Sequence, residues 1–187
     1  MNGELDVGFR QRAFVLPLLV FAWITLVVGT AANTGLLSPD SGKPTYFDLF
    51  FSDTIHFKVW FGCAAAFLAL CQAISASWIY GRIPLRRPRW LGAAHRWSGR
   101  VAFALTLPVA YHCIFLLGFQ DTSARVLAHS FAGLFLYGAL AAKVLVVRSS
   151  KFPGWLLPVM GGVVFAILIA VWYSSSLWFF RTIDVGI

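Results

Sequence analysis

The sequence predicts an all-α integral membrane protein, built as a bundle of five transmembrane helices. Of its 187 residues, 59% are hydrophobic and only 12% are charged, which excludes an ordinary soluble domain. A helix needs about 20 apolar residues to cross the hydrocarbon layer of a membrane. Five continuous runs meet that requirement, at about residues 14–32, 57–80, 100–119, 128–147 and 156–179. We therefore expect residues 1–187 to form a single multi-pass bundle in the cell membrane, surrounded by lipid.

The first run has two interpretations. Arg10 and Arg12 precede it and small residues follow it, as in a secretory signal sequence. The apolar region of such a signal has about 7 to 15 residues, and this run is longer. We therefore expect it to be retained as the first helix. The next loop ends in an aromatic segment, residues 46–51. We expect this segment either to lie at the level of the outer lipid headgroups or to cover a site beneath it. Lys58 then lies near enough to the interface to snorkel.

Basic residues are distributed unevenly between the loops. The first and third loops hold four aspartates against one lysine and one arginine, although the net charge of the chain is +8. By the positive-inside rule, the N-terminus is predicted to face the cytoplasm and the C-terminus the outside. This distribution explains the positive charge by membrane topology and argues against nucleic-acid binding. Alternatively, the arginine-rich second loop binds an acidic partner. The arginines of that loop and of the helix entrance after it are Arg82, Arg86, Arg87, Arg89, Arg96 and Arg100.

Several kinds of chemistry lack the residues that they need. Cys63, Cys71 and Cys113 all fall within predicted spans and form no CxxCH motif. A disulfide framework is therefore not implied, and covalent c-type haem attachment is excluded. No acidic residue lies in the middle of a span, which argues against an acid-based proton relay. A phosphate loop, a nucleophile elbow and an HExxH motif are absent, and residues 174–176, three serines, are expected to bond to the backbone.

The histidines carry the functional prediction. An imidazole within a membrane-spanning helix loses its water and needs a partner. His95 and His129 share the pattern A-H-x-aromatic-x-G, which places Gly99 and Gly133 one turn further along the same helix face. A porphyrin that lies across a helix needs such a gap beside its iron ligand. The two motifs are therefore candidate haem sites.

Depth along the helices separates the four histidines. At 1.5 Å per residue, His112 and His129 lie about 10 to 12 Å outward of their helix centres, and His56 about 18 Å. Membrane-embedded haem b is held by two neutral imidazoles from facing helices. The sequence thus predicts one haem b bound by His129 together with His112 or His56. Equal depth favours His112, whereas the wide spacing required between ligand helices favours His56.

A second haem is a further possibility at the inner side, because His95 lies about 15 Å towards the cytoplasm. No other histidine shares that depth, and Met160 is the other soft side chain there. Alternatively, residues 95–100 form an interfacial helix start whose arginines bind lipid phosphates or haem propionates. Two more interpretations stay open: a copper or zinc site of the three outer histidines, and histidines that only bond helices together.

Three stretches carry a resemblance: HRWSGRVAFALTLPVAYHC at 95–113, AHS at 128–130 and PGWLLPVMGG at 153–162. They resemble an uncharacterised family of bacterial multi-pass membrane proteins over roughly helices two to five. More distantly, the chain is similar to the transmembrane b-type cytochromes, namely the ascorbate-linked family and the ferric-reductase-like domains. That similarity implies haem ligation by His56, His112 and His129, and less directly by His95, with electron transfer across the membrane.

The chain departs from the two-haem pattern of those cytochromes, since it has fewer inner histidines and lacks a nicotinamide or flavin module. Electrons would therefore be exchanged with a quinone, a small molecule or a separate protein. The sequence predicts a cytochrome b-like electron carrier near the outer leaflet, or a subunit of a transmembrane oxidoreductase, that works with partner subunits. The competing class is a cofactor-free membrane anchor or assembly subunit.

Overall fold

The computed structural model describes residues 2–34, 46–149 and 152–182, and these are helical apart from short connections. The helices are α1 (Asn2–Thr34), α2 (Thr54–Ile79), α3 (Leu91–Ala110), α4 (Ala124–Arg148), α5 (Leu156–Trp172) and α6 (Trp178–Thr182). A π-helical turn, Tyr111–Leu117, continues α3, and a second one, Tyr173–Leu177, joins α5 to α6. No strand occurs within the described ranges.

Five helices are long and apolar enough to cross a membrane, which confirms the predicted number of spans. Four begin earlier than the apolar runs suggest, among them α3, which begins at Leu91 and not at residue 100. The reason is that helical hydrogen bonding continues through the polar turns around Arg96 and Arg100, which hydropathy alone excludes. The surface agrees with a lipid environment, because large apolar side chains such as Trp23 and Phe67 are about two-thirds exposed.

The helices pack in a ring and not in chain order. α2 packs on α3 and α5, and α4 packs on α1 and α5, while the π-helical turn after α3 meets α1. Although α3 and α4 are consecutive, they make little close backbone contact within the described chain. Space is therefore left between α3 and α4, in the middle of the ring.

The two ends of the bundle differ in their caps and loops. One end, here called the His129 end, holds residues 46–53, the turn at 118–123 and α6. There Asp53 caps α2 through Oδ1, which accepts from the backbone N–H groups of Ile55 and His56 at 2.8 Å each. Ser123 caps α4 by accepting from the N–H of Val126 at 3.3 Å. The opposite end, the arginine-loop end, holds residues 80–90 and 152–155.

Small residues decide where the helices approach closely. A Cβ atom at Gly138 of α4 would lie 2.8 Å from the backbone oxygen of Phe21 in α1. A Cβ atom at Gly62 of α2 would lie 2.7 Å from Ser176 Oγ. The absence of a side chain at these two glycines therefore allows close helix packing. Around the middle of α4, Leu136, Ala139 and Val164 form a buried core.

Candidate functional site

A cavity of about 420 Å³ lies inside the bundle at the His129 end. This volume falls within the range of about 300 to 1,000 Å³ that is typical of small-molecule and cofactor sites. All five long helices contribute to its wall, which is mostly apolar. The charged or ionisable side chains on the described wall are Lys58, Arg125, His129, Cys113 and Tyr137, and no aspartate or glutamate lies among them.

His129 is the histidine that lines this cavity. It lies in the second turn of α4, and its Nδ1 is 2.9 Å from Ser174 Oγ on the facing π-helical turn. Ser174 is buried, with 8% of its surface exposed. The Ser174 hydroxyl lies 2.7 Å from the backbone oxygen of Ala170, to which it donates its single proton.

This hydrogen bonding fixes the tautomer of His129. Because the Ser174 proton is used within its own helix, Ser174 Oγ accepts from His129, and the imidazole proton lies on Nδ1. Nε2 then carries the lone pair, and the backbone oxygen of Val171 is a further acceptor within reach of the imidazole proton. An imidazole held through one nitrogen with the other left open is the arrangement found at metal-ligating histidines.

Gly133 leaves open space beside His129. It lines the cavity, and a Cβ atom built on it would have no neighbour within 4 Å. The gap predicted one turn after His129 is therefore present. Tyr137 lies one turn further along α4, and its hydroxyl donates to the backbone oxygen of Thr106 in α3 at 3.2 Å. Both residues line the cavity, so this bond joins α3 to α4 at the cavity wall.

His112 lies outside the cavity wall and is completely buried. Its Nδ1 is 2.9 Å from the backbone oxygen of Pro108, and its Nε2 accepts from the backbone N–H of Phe47 at 3.3 Å. Both ring nitrogens thus have protein partners. To bind a metal, His112 would have to break one of these bonds.

Aromatic rings enclose His112. The ring of Phe47 lies 4.4 Å from the imidazole centroid to centroid, and the rings of Phe57 and Tyr111 lie 5.5 Å from it. Residues 46–47 thereby cover His112. The aromatic segment was predicted to lie at the headgroup level or to cap a site beneath it, and it does not line the cavity. What it caps is a packed imidazole and not the cavity.

His56 also lies away from the cavity wall, at the exposed start of α2. Its Nδ1 is 2.7 Å from Asp53 Oδ2, and its ring meets that of Phe179 edge-on at 5.5 Å. The backbone N–H of His56 and then its imidazole hold the pKa of the Asp53 carboxyl below its usual value. His56 therefore belongs to the cap of α2.

His95 lies towards the arginine-loop end and contacts α2. Its Nδ1 is 2.7 Å from Ser75 Oγ, whose proton goes to the backbone oxygen of Cys71 at 2.7 Å. This repeats the chemistry of His129 and Ser174. The glycine beside it differs, because a Cβ atom on Gly99 would lie 2.9 Å from Gln72 Oε1. In the motif of His95, the space beside the glycine is therefore occupied by the side chain of Gln72.

The structure thus brings one of the four histidines to the cavity and holds the other three apart. Sequence reasoning missed Ser174 as the partner of His129, although three serines in an otherwise apolar helix were a signal of polar contacts there. It also treated Lys58 as an interfacial residue, whereas the side chain lines the cavity. In the described ranges, no group of three or more His, Cys, Asp or Glu side chains could hold a metal ion.

Comparison with known proteins gives the chain a family. Residues 13–187 match the model of a family of unknown function, DUF6529, and the chain belongs to that family. No curated protein and no solved structure matches it. The similarity to b-type cytochromes and the bacterial origin of the relatives stay predictions.

Proposed function

We propose that this member of the DUF6529 family binds one haem b in the cavity, with Nε2 of His129 as axial ligand, and carries electrons near the outer face of the cell membrane. One observation carries the proposal: His129 lines a mostly apolar cavity, bonds to Ser174 through Nδ1, and has free space beside it at Gly133. Haem supplies one-electron redox chemistry when bound.

Several residues of the cavity would have distinct roles in binding the haem. Ser174 accepts the Nδ1 proton of His129 and so fixes the direction of Nε2. Apolar wall residues such as Val109 and Leu136 exclude water from the cavity. Gly133 leaves room for a flat ring, since a Cβ atom built on it would meet nothing within 4 Å.

We propose a single-histidine site and one haem because His129 is the one histidine that lines the cavity. Nε2 of His112 could pair with His129 only if its hydrogen bond from the backbone N–H of Phe47 were lost. His56 lies away from the cavity wall, so pairing it with His129 would require it to move. A second haem between His95 and Met160 would have to displace Gln72 from the space beside Gly99.

The proposal places the His129 end outside, as the positive-inside rule predicts. Impermeant maleimide applied to whole cells would then label an Asp121→Cys variant and leave a Leu85→Cys variant unlabelled. The reverse labelling would contradict this orientation. Electrons would be exchanged with a quinone or with a separate redox protein, because no described part of the chain forms a nicotinamide or flavin module.

A second candidate function is that of a cofactor-free membrane anchor or assembly subunit. It is favoured by the finding that His56, His95 and His112 are bonded to protein groups. In that case the cavity would hold lipid, and the histidines would only join helices.

A reduced-minus-oxidised spectrum of the purified protein separates the two candidates. The haem proposal expects a b-type α-band that His129→Ala abolishes. His95→Ala is the matched control, since His95 makes the same type of bond to a serine on another helix, and it should keep the band. A protein without any band when expressed with ample haem would contradict the proposal, and a band that survives in His129→Ala would remove the ligand assignment.

A further inference from the structure

We propose that Lys58 and Arg125 form a carboxylate-binding mouth for the cavity, which therefore takes an amphiphile with an anionic head and an apolar body. Under the proposed function, on which this assignment of the ligand rests, the carboxylates are the propionates of haem b. The same chemistry would also be met by the carboxylate of a fatty acid.

Lys58 is a cation without a counter-ion on the described wall. It is half-buried in the first turns of α2 and lines the cavity together with Val59 and Gly62. The described residues provide no hydrogen bond or ion pair to its ammonium group. A charge in a membrane-spanning segment is costly unless it is paired, so a bound anion is the natural partner here.

Arg125 faces the same space from α4, one turn before His129. One of its guanidinium nitrogens donates to the backbone oxygen of Ser174 at 2.6 Å, and its Cζ lies 3.8 Å from the centroid of the Trp178 ring. These contacts hold the side chain in place and leave other N–H donors of the guanidinium free. Such a fixed planar donor suits a carboxylate.

The wall changes character with depth. From Arg125 to Leu136, α4 advances about 16 Å at 1.5 Å per residue, and both residues line the cavity. The deeper wall is apolar, with Leu105 and Val109 of α3 and Leu168 of α5. A ligand that complements positive charge at the mouth and apolar surface deeper in the cavity has one anionic end and an apolar body.

Ligand pairs that differ only in the carboxylate test the mouth. Haemin and its dimethyl ester are titrated into the apo-protein in neutral detergent, and wild type should bind haemin at least 10-fold more tightly. Lys58→Met should lose most of this preference, and Lys58→Arg should retain it. Lys143→Met is the matched control, because Lys143 is a half-buried lysine of α4 that does not line the cavity.

A second pair, oleic acid and oleyl alcohol, separates this inference from the haem proposal. If haem does not bind but oleate binds more tightly than the alcohol in a Lys58-dependent manner, the mouth stands and the haem function fails. If haemin and its ester bind equally well, the mouth is overturned and the haem function stands. Equal binding in both pairs, or a preference unchanged in Lys58→Met, also overturns the mouth.

Discussion

Ser174 Oγ lies 2.9 Å from His129 Nδ1, and this contact joins the π-helical turn after α5 to the second turn of α4. A π-helical turn inserts one residue into the helix and so changes the faces on which later side chains lie. Ser174 and Ser176, two residues apart, are both buried within the bundle as a result. π-helical turns are frequent at functional sites, and the two that occur among the described residues both border the cavity.

Replacing Ser174 by alanine should weaken ligand binding without unfolding the protein. The variant removes the acceptor that holds the imidazole proton of His129, and loss of such a partner typically lowers metal affinity about 10- to 100-fold. Haem titration with spectroscopic detection measures the effect. Ser175→Ala is the matched control, because Ser175 bonds only to the backbone oxygen of Val171. Equal losses in both variants would contradict the orienting role.

His112→Ala should destabilise the protein and leave ligand binding intact in the folded fraction. The change strands the carbonyl of Pro108 and the N–H of Phe47 and opens a hole among aromatic rings, at a cost of roughly 2 to 4 kcal/mol. Thermal unfolding in detergent measures the loss, and haem content per folded molecule is measured alongside. A folded His112→Ala protein that lacks haem would instead support the bis-histidine pair predicted from the sequence.

Two glycines of α4 should respond oppositely to substitution. Gly138→Ala should lower stability by about 1 to 3 kcal/mol, because the new Cβ would press on the backbone of Phe21. Gly133→Leu should keep the melting temperature and abolish binding of haem, because the new side chain enters the cavity. Retained binding in Gly133→Leu would show that the ligand does not lie against this face of α4.

The Asp53 cap makes stability depend on pH in a definite direction. The pKa of Asp53 is lowered from 3.8 in the folded protein, first by the backbone N–H of His56. The ionised form is thus favoured by folding, and its contribution is complete well above pH 3.8 and is lost as the pH falls through the lower folded value. Melting temperatures of wild type and Asp53→Ala should therefore differ at pH 7, and the difference should shrink as the pH falls below 3.8. A constant difference would show that the charge of Asp53 does not contribute.

Much of the fold was predictable because hydropathy acts on whole segments. About 20 apolar residues in sequence have one stable arrangement in lipid, a helix whose backbone groups are satisfied internally. The five spans follow from that rule without knowledge of their neighbours. The rule does not predict the first turns of α3 around Arg96, which are helical although their side chains are too polar to belong to an apolar run.

The site was only partly predictable, as the two A-H-x-aromatic-x-G motifs demonstrate. Each places a histidine one turn before a glycine, and each histidine bonds to a serine on another helix. From the sequence the motifs were equivalent. Gln72 occupies the space beside Gly99, whereas nothing occupies the space beside Gly133.

By itself the sequence determined that the chain is a helical membrane bundle and that its histidines need partners, because both follow from the cost of leaving polar groups unpaired in lipid. Only the tertiary structure decided which partner each imidazole has. That choice depends on the packing order of the helices and on two π-helical turns, which bring Ser174 to His129 and Phe47 to His112. Local sequence patterns contain neither piece of information, since the contacts join residues 45 and 65 positions apart.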